Sequence, residues 1–158
     1  MNPCLRTLCV LSLGLLAGCA TTMELPPGFV QLRERAEFRA TTSDEAVLQV
    51  HEVHDPTKAS DAKFWIDALR TDFVGQRGYV ETGAGEVTDG EGNVGQWVEF
   101  SSGLRGEKVG YLVAVWMRRS GLLGLGAKRL RVVEFGGREA VYGARVAAVK
   151  QALTTLRR

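Results

Sequence analysis

The sequence predicts an α+β domain built around a mainly antiparallel sheet of about six strands. Segments with the alternation, or the β-branched and aromatic content, of strands follow one another along most of the chain, separated by short turns. Two segments instead carry apolar residues at helical spacing, one before the middle of the chain and one at its carboxyl end. The order of two strands, a helix, four strands and a helix therefore favours antiparallel pairing in one α+β domain.

Length and composition agree with a single folded domain. The chain has 158 residues, of which 45% are hydrophobic and 24% are charged, and its formal net charge is +2. These values exclude a disordered chain, a coiled coil and a polytopic membrane protein. A dedicated nucleic-acid binder would normally carry a basic stripe, so we expect no nucleic-acid partner.

Two strands are predicted before the first helix. Residues 29–40 are expected to contain an opening strand that places Phe38 and Ala40 on one face. The polar cluster at residues 41–44 is typical of a turn, and residues 46–54 form the next predicted strand.

The first helix is predicted to begin after Ser60, whose hydroxyl can accept a hydrogen bond from a free backbone N–H of the first turn. Gly75 suits the position just beyond the end of this helix. The apolar residues at helical spacing are Ala62, Trp65, Ile66, Leu69 and Phe73.

Four strands and a second helix complete the domain. Residues 79–87 and 94–100 are predicted strands joined by an acidic, glycine-rich turn. Residues 109–117 are nearly all apolar, which is typical of a strand buried on both faces and implies cover on both sides, as helices on opposite faces would supply. Residues 129–135 form the next strand, which the following Gly-Gly pair is expected to end. The apolar residues of the second helix are Tyr142, Val146, Val149, Leu153 and Leu156.

The amino-terminal residues have the layout of an export signal. Arg6 is the one charged residue in positions 1–7, residues 8–16 are almost continuously apolar, and small residues follow. This apolar run is much shorter than the about 20 residues that a membrane-spanning helix needs. The end of the segment, Leu16-Ala17-Gly18-Cys19, resembles the lipobox of bacterial lipoproteins. The resemblance implies cleavage before Cys19, a diacylglycerol on its sulfur and, usually, an acyl chain on its new amino group.

This resemblance divides the chain into three parts. Residues 1–18 are the predicted lipoprotein signal peptide, residues 19–27 are the lipidated amino terminus with a short tether, and residues 28–158 are the domain. Ala20 stands where many lipoproteins of enteric bacteria carry the aspartate that retains them on the inner membrane. The expected location is therefore the cell envelope, with the periplasmic face of an outer membrane favoured.

The cysteines support the same division. Cys4 and Cys9 would leave with the signal peptide and Cys19 would be lipidated, so no free thiol would remain in the mature chain. We therefore expect no disulfide scaffold, no cysteine nucleophile and no zinc site built on thiolates.

Several strings in the order of the chain resemble the PsbP-like superfamily. They are Pro26-Pro27-Gly28-Phe29, Phe64-Trp65, Gly78-Tyr79, Tyr111-Leu112-Val113-Ala114-Val115 and Val132-Val133-Glu134-Phe135-Gly136-Gly137. The resemblance covers residues 26–158 and implies an α/β/α sandwich. Its motifs consist mostly of packing and turn residues. Members of the superfamily usually act as accessory or docking modules, and the resemblance brings no catalytic set.

Candidate metal sites are weak. His51 and His54 are the only histidines, and residues three apart on a strand point to opposite faces, so a solvated strand edge is the preferred interpretation. Asp89, Glu91 and Asn93 alternate like calcium ligands, but the glycine and glutamate that complete an EF-hand loop are missing. We therefore predict neither a metal nor another cofactor.

Candidate catalytic motifs are also incomplete. Gly83-Ala84-Gly85 lacks the third glycine of a dinucleotide-binding loop, and no helix is predicted to open there. Ser101-Ser102-Gly103 lacks the flanking residues of a nucleophile elbow. An enzymatic activity is therefore not expected.

The segment 120–127 is the most unusual part of the sequence. It lies between two predicted strands, yet it contains Leu122, Leu123 and Leu125 where a turn is normally polar. The flanking basic residues are Arg118, Arg119, Lys128 and Arg129. Three interpretations stay open: the leucines fold back onto the core, they dock a partner protein, or they enter a membrane interface with the basic residues near lipid phosphates.

The sequence therefore predicts a lipid-anchored accessory module of the cell envelope that has no catalytic activity and binds another envelope protein. The alternative is a periplasmic lipoprotein that binds a lipid or another small ligand and contacts the membrane through residues 120–127. The expected partners are the membrane, through the anchor, and an envelope protein of unknown identity.

Overall fold

The computed structural model describes residues 21–32, 38–54, 61–103, 106–119 and 128–157. Within these ranges the chain forms a seven-stranded antiparallel sheet, two α-helices and a short π-helical segment. The α+β prediction is confirmed. The described part of the chain contains no helix that is both long and apolar enough to cross a membrane.

The sheet has seven strands where about six were predicted, because the opening segment 29–40 contains two strands instead of one. The strand order is β1-β2-β3-β7-β6-β5-β4, and every neighbouring pair is antiparallel. The pairing of β3 with β7 therefore joins the start of the domain to its end. The strands are β1 (Val30–Leu32), β2 (Phe38–Thr41), β3 (Val47–His54), β4 (Val80–Thr88), β5 (Val94–Ser102), β6 (Val109–Arg119) and β7 (Lys128–Arg138).

The first helix, α1, spans Ala62–Arg70. Its N-cap is Asp61, one residue later than the predicted Ser60, and the Asp61 carboxylate accepts a hydrogen bond from the backbone N–H of Phe64 at 2.9 Å. An aspartate caps a helix as well as a serine does, and its charge is also favourable at the amino end of the helix dipole.

The helical path continues beyond α1 as the π-helical segment Thr71–Gln76. The predicted helix end at Gly75 is therefore wrong, because Gly75 lies inside this wider turn. The chain is instead reversed at Gly78, which has φ of 71°, a backbone conformation that glycine adopts without strain. The π-helical turn places Phe73 on the sheet, where its ring stacks on Phe100 at 4.8 Å between centroids.

The two helices cover opposite faces of the sheet, as the doubly buried strand implied. The second helix, α2, spans Glu139–Leu153 and packs on the face that carries Leu48, Leu112 and Phe135. On the other face, α1 and the π-helical segment pack against β5 and β6. That second core contains Ile66, Phe73, Val98, Phe100, Val113, Val115 and Leu130.

Strand β6 is buried on both faces, which confirms its prediction. Leu112, Ala114 and Trp116 belong to the core under α2, whereas Val113 and Val115 belong to the core under α1. All five side chains are fully buried. The alternation of the strand assigns consecutive residues to the two cores.

The Gly-Gly pair in β7 does not end the strand, contrary to the prediction. Gly136 pairs with Val47 on one side and with Tyr111 on the other, and β7 continues to Arg138. A Cβ built on Gly136 would lie 2.9 Å from Cδ2 of Tyr111. Glycine is therefore required here because it leaves room for the Tyr111 ring.

The folded domain includes Thr22, which lies inside the segment assigned to the tether. Thr22 and Arg157 exchange both backbone hydrogen bonds, with N···O distances of 2.9 and 2.8 Å. Met23 is buried in the core under α2. Residues 22–27 therefore pack against the domain instead of forming a free linker.

Candidate functional site

Four of the predicted site residues lie outside the part of the chain that the structure describes. They are Cys19, Leu122, Leu123 and Leu125. Lipidation of the cysteine and contact of the leucines with a partner or a membrane therefore stay predictions.

The described basic residues lie where β6 ends and β7 begins, at the connected end of the β6–β7 hairpin. The last pair of the register joins Arg119 to Lys128, and Arg118 pairs with Arg129 one step earlier. Like charges directly opposite each other are unfavourable on a sheet. Acidic groups from other elements should therefore be present to offset this end of the hairpin.

Glu52 of β3 supplies one of these acidic groups and lies among three arginines. Nη2 of Arg131 donates a hydrogen bond to Oε1 of Glu52 at 2.9 Å. Nη1 of Arg118 lies 3.9 Å from the same oxygen, and Nη1 of Arg129 lies 3.7 Å from Oε2. We call Arg118, Arg129 and Arg131 the arginine cluster.

A second carboxylate reaches the arginine cluster from the β4–β5 turn, where Glu91 contacts Arg118. Three guanidinium groups and two carboxylates leave one positive charge uncompensated within this set. This set of five described groups is therefore basic overall.

The strand register explains how the cluster is assembled. Glu52 and Arg131 are direct cross-strand partners, and Arg131 is also the partner of Trp116 on β6. Direct partners project to the same face of a sheet, and Trp116 belongs to the core under α2. Glu52 therefore follows Leu48 and Val50 along the core-facing side of β3.

Arg131 is the most unusual member of the cluster. Its exposure is 0%, and among the described residues its Nε and Nη1 have no hydrogen-bond partner. Nε1 of the neighbouring Trp116 is likewise buried and without a partner in the described chain. A buried donor without an acceptor costs about 1–3 kcal/mol, so these atoms favour an additional acceptor at this end.

The amino terminus of the described chain lies at the same end of the sheet. Thr22 is bonded to Arg157, and a Cβ built on Gly90 would lie 3.0 Å from Cγ of that arginine. Gly90 precedes Glu91, which contacts Arg118. A chain of direct contacts therefore connects Thr22 to the arginine cluster.

The opposite face of the sheet contains an open groove. Its cavity is about 290 Å³. The residues that line it are Glu45, Val47, Gln49, Tyr111, Glu134, Gly136 and Gly137.

Polar groups in and beside this groove bond to one another. Nε2 of His51 lies 3.1 Å from Oε1 of Gln49 and 3.4 Å from Oε2 of Glu134. Burial, followed by the charge and hydrogen bonding of Glu134, raises the pKa of the Tyr111 hydroxyl. His51 is therefore half-buried among partners, unlike the predicted solvated edge, whereas His54 is exposed.

A third polar cluster attaches α2 to β5. The hydroxyl of Tyr142 donates to Oε2 of Glu99 at 2.6 Å, and Lys150 contacts the other oxygen of that carboxylate. Nζ of Lys150 also lies 3.5 Å from the centre of the Trp97 ring, a favourable cation–π distance. Burial and the bond to Glu99 raise the pKa of Tyr142. These internal contacts indicate a structural role for the cluster.

The described residues contain no group of three histidine, cysteine, aspartate or glutamate side chains that could hold a metal ion. The two histidines lie on opposite sides of β3, as their spacing indicated. Asp89 and Asn93 bond to each other inside the β4–β5 turn at 2.9 Å.

The fold is similar to that of a solved mycobacterial protein. LpqN of Mycobacterium tuberculosis, described as involved in cell envelope biogenesis, matches with a TM-score of 0.66 and 12% sequence identity, over 87% of this chain and 83% of its own. PA94 of Pseudomonas aeruginosa, a protein of unknown function, matches with a TM-score of 0.49 and 10% identity, over 89% of this chain and 84% of its own. No protein-family model matches the chain, and no curated protein matches it. At 12% identity, the likeness to LpqN shows a shared fold.

Proposed function

We propose that this chain is an accessory protein of the cell envelope, held at a membrane by acyl chains on Cys19, which binds another envelope protein and has no catalytic activity of its own. LpqN, which has a similar fold, is described as involved in cell envelope biogenesis. The lipobox-like string that ends at Cys19 supports the anchor. The PsbP-like resemblance over residues 26–158 supports the same class, because that superfamily consists largely of accessory modules.

The observation that carries the proposal is the position of Thr22, which is hydrogen-bonded to Arg157 and so belongs to the folded domain. Three residue steps separate Cys19 from Thr22 and span at most about 11 Å. One acyl chain holds a protein only marginally at a bilayer, whereas two or more hold it stably. A diacylated Cys19 would therefore keep the domain directly at the membrane surface, within reach of other envelope proteins.

The proposed location is the periplasmic face of an outer membrane. Ala20 follows the proposed lipidated cysteine, and it does not supply the aspartate associated with inner-membrane retention in enteric bacteria. Fractionation of the two membranes tests this location separately from the anchor itself.

Two measurements test the proposal. Mass spectrometry of the native protein should find acyl groups on Cys19 as the first residue. A photo-reactive amino acid at Leu123 should then crosslink in intact cells to one discrete envelope protein. The same probe at Val80, an exposed apolar residue at the far end of β4, serves as the control and should give no such product. An unmodified cysteine thiol, or identical crosslinking from both positions, would contradict the proposal.

A second candidate function is binding of a lipid or another small ligand, with membrane contact through residues 120–127. It is favoured by the basic end of the β6–β7 hairpin, which lies at the same end of the sheet as Thr22. Full-length protein carrying Cys19→Ser should then still bind anionic vesicles. Glutamate at Leu122, Leu123 and Leu125 should abolish this binding while thermal unfolding stays cooperative. Vesicle binding that survives these substitutions would exclude this route.

A further inference from the structure

We infer that the arginine cluster, Arg118, Arg129 and Arg131, is a binding site for a phosphate group, carried either by a phospholipid headgroup or by a free phosphate. The headgroup as the source rests on the proposed membrane anchor. The phosphate chemistry itself rests on the contacts of the cluster and is independent of the anchor.

The first support is the type and number of the cationic groups. Three guanidinium groups lie within 3.9 Å of the carboxylate of Glu52. The planar fork of arginine donors fits the oxygens of a phosphate in a bidentate manner, and these charge-assisted hydrogen bonds are stronger than neutral ones. Even with Glu91 included, the five described groups of this set carry a formal net charge of +1, which favours an anion.

The second support is the unused hydrogen-bonding capacity of Arg131. Arg131 is fully buried, and its Nε and Nη1 have no partner in the described part of the chain. A buried cation in this condition is unfavourable, because both its charge and its spare donors have lost water. A phosphate offers more acceptor oxygens than a carboxylate, so it can satisfy donors that Glu52 leaves unused.

The third support is a path for the anion from solvent. The Arg129 side chain is 49% exposed and that of Arg118 is 17% exposed, whereas Arg131 is buried. The exposure of the cluster therefore decreases from Arg129 at the surface to the buried Arg131. The Glu52 side chain is itself 22% exposed, so it can turn outward as a phosphate takes its place between the arginines.

The position of the cluster favours a lipid source. Contacts from Thr22 through Arg157, Gly90 and Glu91 lead to Arg118, so Thr22 and the cluster share one end of the domain. If Cys19 is acylated, its membrane lies within about 11 Å of Thr22. The cluster would then face the layer in which phospholipid phosphates lie.

The test for a free ligand uses the full chain in non-ionic detergent, titrated with inorganic phosphate by calorimetry. Arg129→Gln should weaken binding about tenfold or more, the loss that corresponds to a charged hydrogen bond of roughly 1.5 kcal/mol. Arg138→Gln is the matched control, because Arg138 lies at the other end of β7, is 62% exposed and pairs with Glu45. The affinity of the Arg138→Gln variant for phosphate should equal that of the unmodified protein.

The test for a lipid source uses the same protein held by its own anchor in phosphatidylcholine vesicles with and without phosphatidylglycerol. Phenylglyoxal modification is measured at single arginines by mass spectrometry. Phosphatidylglycerol should protect Arg129 and leave Arg138 as reactive as before. Binding of inorganic phosphate without this protection assigns the site to a free phosphate, and protection without phosphate binding assigns it to the headgroup.

A Glu52→Gln variant distinguishes a phosphate site from a purely structural ion cluster. Removing the competing carboxylate should tighten phosphate binding by roughly tenfold. Thermal unfolding of this variant shows whether the domain still folds when Arg131 has lost the charge of its partner Glu52. The Arg129→Gln variant tests the same site without a substitution at a buried residue. The inference is overturned if neither probe binds, or if Arg129→Gln and Arg138→Gln behave alike. Acylation of Cys19 and crosslinking at Leu123 would be unaffected by that outcome.

Discussion

The indole of Trp116 lies across the backbone of Gly95, so that a Cβ built on Gly95 would overlap the ring. Trp116 is fully buried under the α2 side of the sheet, and Gly95 lies beside it on β5. The ring therefore fills the space that a side chain at position 95 would need. This pair packs the sheet immediately next to the arginine cluster, because Trp116 is the cross-strand partner of Arg131.

Gly95→Ala should lower the free energy of unfolding by about 1–3 kcal/mol, because the fully buried ring has to shift to admit the methyl group. Urea unfolding followed by circular dichroism measures the change. Gly143→Ala is the control, since Gly143 lies on α2 with nothing within 4 Å of an added Cβ. It should raise stability by about 0.5–1 kcal/mol, the usual gain for this change within a helix. Equal effects of the two substitutions would contradict the packing.

The strongest predictions from the sequence were those that depend on local pattern. The nearly all apolar residues 109–117 predicted a strand buried on both faces, because such a run leaves no side of the strand for water. The spacing of apolar residues predicted both helices, and burial on both sides of β6 implied that they lie on opposite faces. The sequence did not show that the segment 29–40 is divided between two strands.

The features that the sequence did not reveal depend on partners distant in the chain. Glu52 and Arg131 are 79 positions apart and meet only because β3 pairs with β7. A local signal for this pair did exist: Glu52 follows Leu48 and Val50 at alternating positions on the core-facing side of its strand. A carboxylate in such a row indicates that a cation from a neighbouring strand should lie beside it.

The Gly-Gly pair in β7 was misinterpreted for a related reason. Glycine pairs are common in turns, so the local pattern predicted the end of the strand. The glycine at position 136 is needed because the ring of Tyr111 crosses it from the neighbouring strand. Close approach of a side chain from another strand cannot be distinguished from a turn by sequence pattern alone.

Asp89 should be essential for the β4–β5 turn that carries Glu91. Its buried carboxylate accepts backbone hydrogen bonds from Glu91 at 2.9 Å and Asn93 at 2.8 Å, and a further bond from the Asn93 side chain. Asp89→Ala leaves these donors without an acceptor and should cost about 2–3 kcal/mol of stability, measured by chemical denaturation.

The control for this prediction is Asp89→Asn, which keeps one side-chain oxygen as an acceptor and should be clearly more stable than Asp89→Ala. If the two variants unfold at the same denaturant concentration, the carboxylate does not organise the turn. Loss of the turn should also strengthen phosphate binding at the arginine cluster, because it withdraws the competing carboxylate of Glu91 from Arg118.

Stability should fall above about pH 10 because of Tyr142. Burial, together with the hydrogen bond to Glu99, raises the pKa of this hydroxyl in the folded protein. The unfolded chain releases the tyrosine proton near pH 10 while the folded chain keeps it, so above this pH the unfolded state binds fewer protons. The contribution to stability is therefore complete below about pH 10 and decreases at higher pH, by about 1.4 kcal/mol per pH unit.

Urea unfolding of the protein and of Tyr142→Phe, compared at about pH 9 and about pH 11, measures this effect. The free energy of unfolding of the Tyr142→Phe variant should decrease with pH less steeply than that of the unmodified protein, because one titrating tyrosine is missing. Tyr111→Phe provides a second comparison, because burial and Glu134 raise the pKa of Tyr111 as well. Identical pH dependence of Tyr142→Phe and the unmodified protein would show that the hydroxyl is not held in its neutral form.

Glu45 should carry backbone strain that glycine would relieve. It is the described non-glycine residue with positive φ, at 70°, in the turn between β2 and β3. Its carboxylate accepts a hydrogen bond from Arg138 at 2.8 Å, but both side chains are largely exposed, so this ion pair contributes little to stability. Glu45→Gly and Glu45→Ala both remove the ion pair, and they differ mainly in the cost of the left-handed conformation.

Glu45→Gly should be more stable than Glu45→Ala by about 0.5–1 kcal/mol, because the left-handed conformation costs an alanine roughly 1–2 kcal/mol and the greater freedom of unfolded glycine offsets part of that gain. Thermal and urea unfolding of the two variants measure the difference. Arg138→Ala removes the same ion pair without changing the turn, so the stability of this variant should be close to that of the unmodified protein. If the Glu45→Ala variant proves as stable as the Glu45→Gly variant, the turn relaxes to a negative φ and stores no strain.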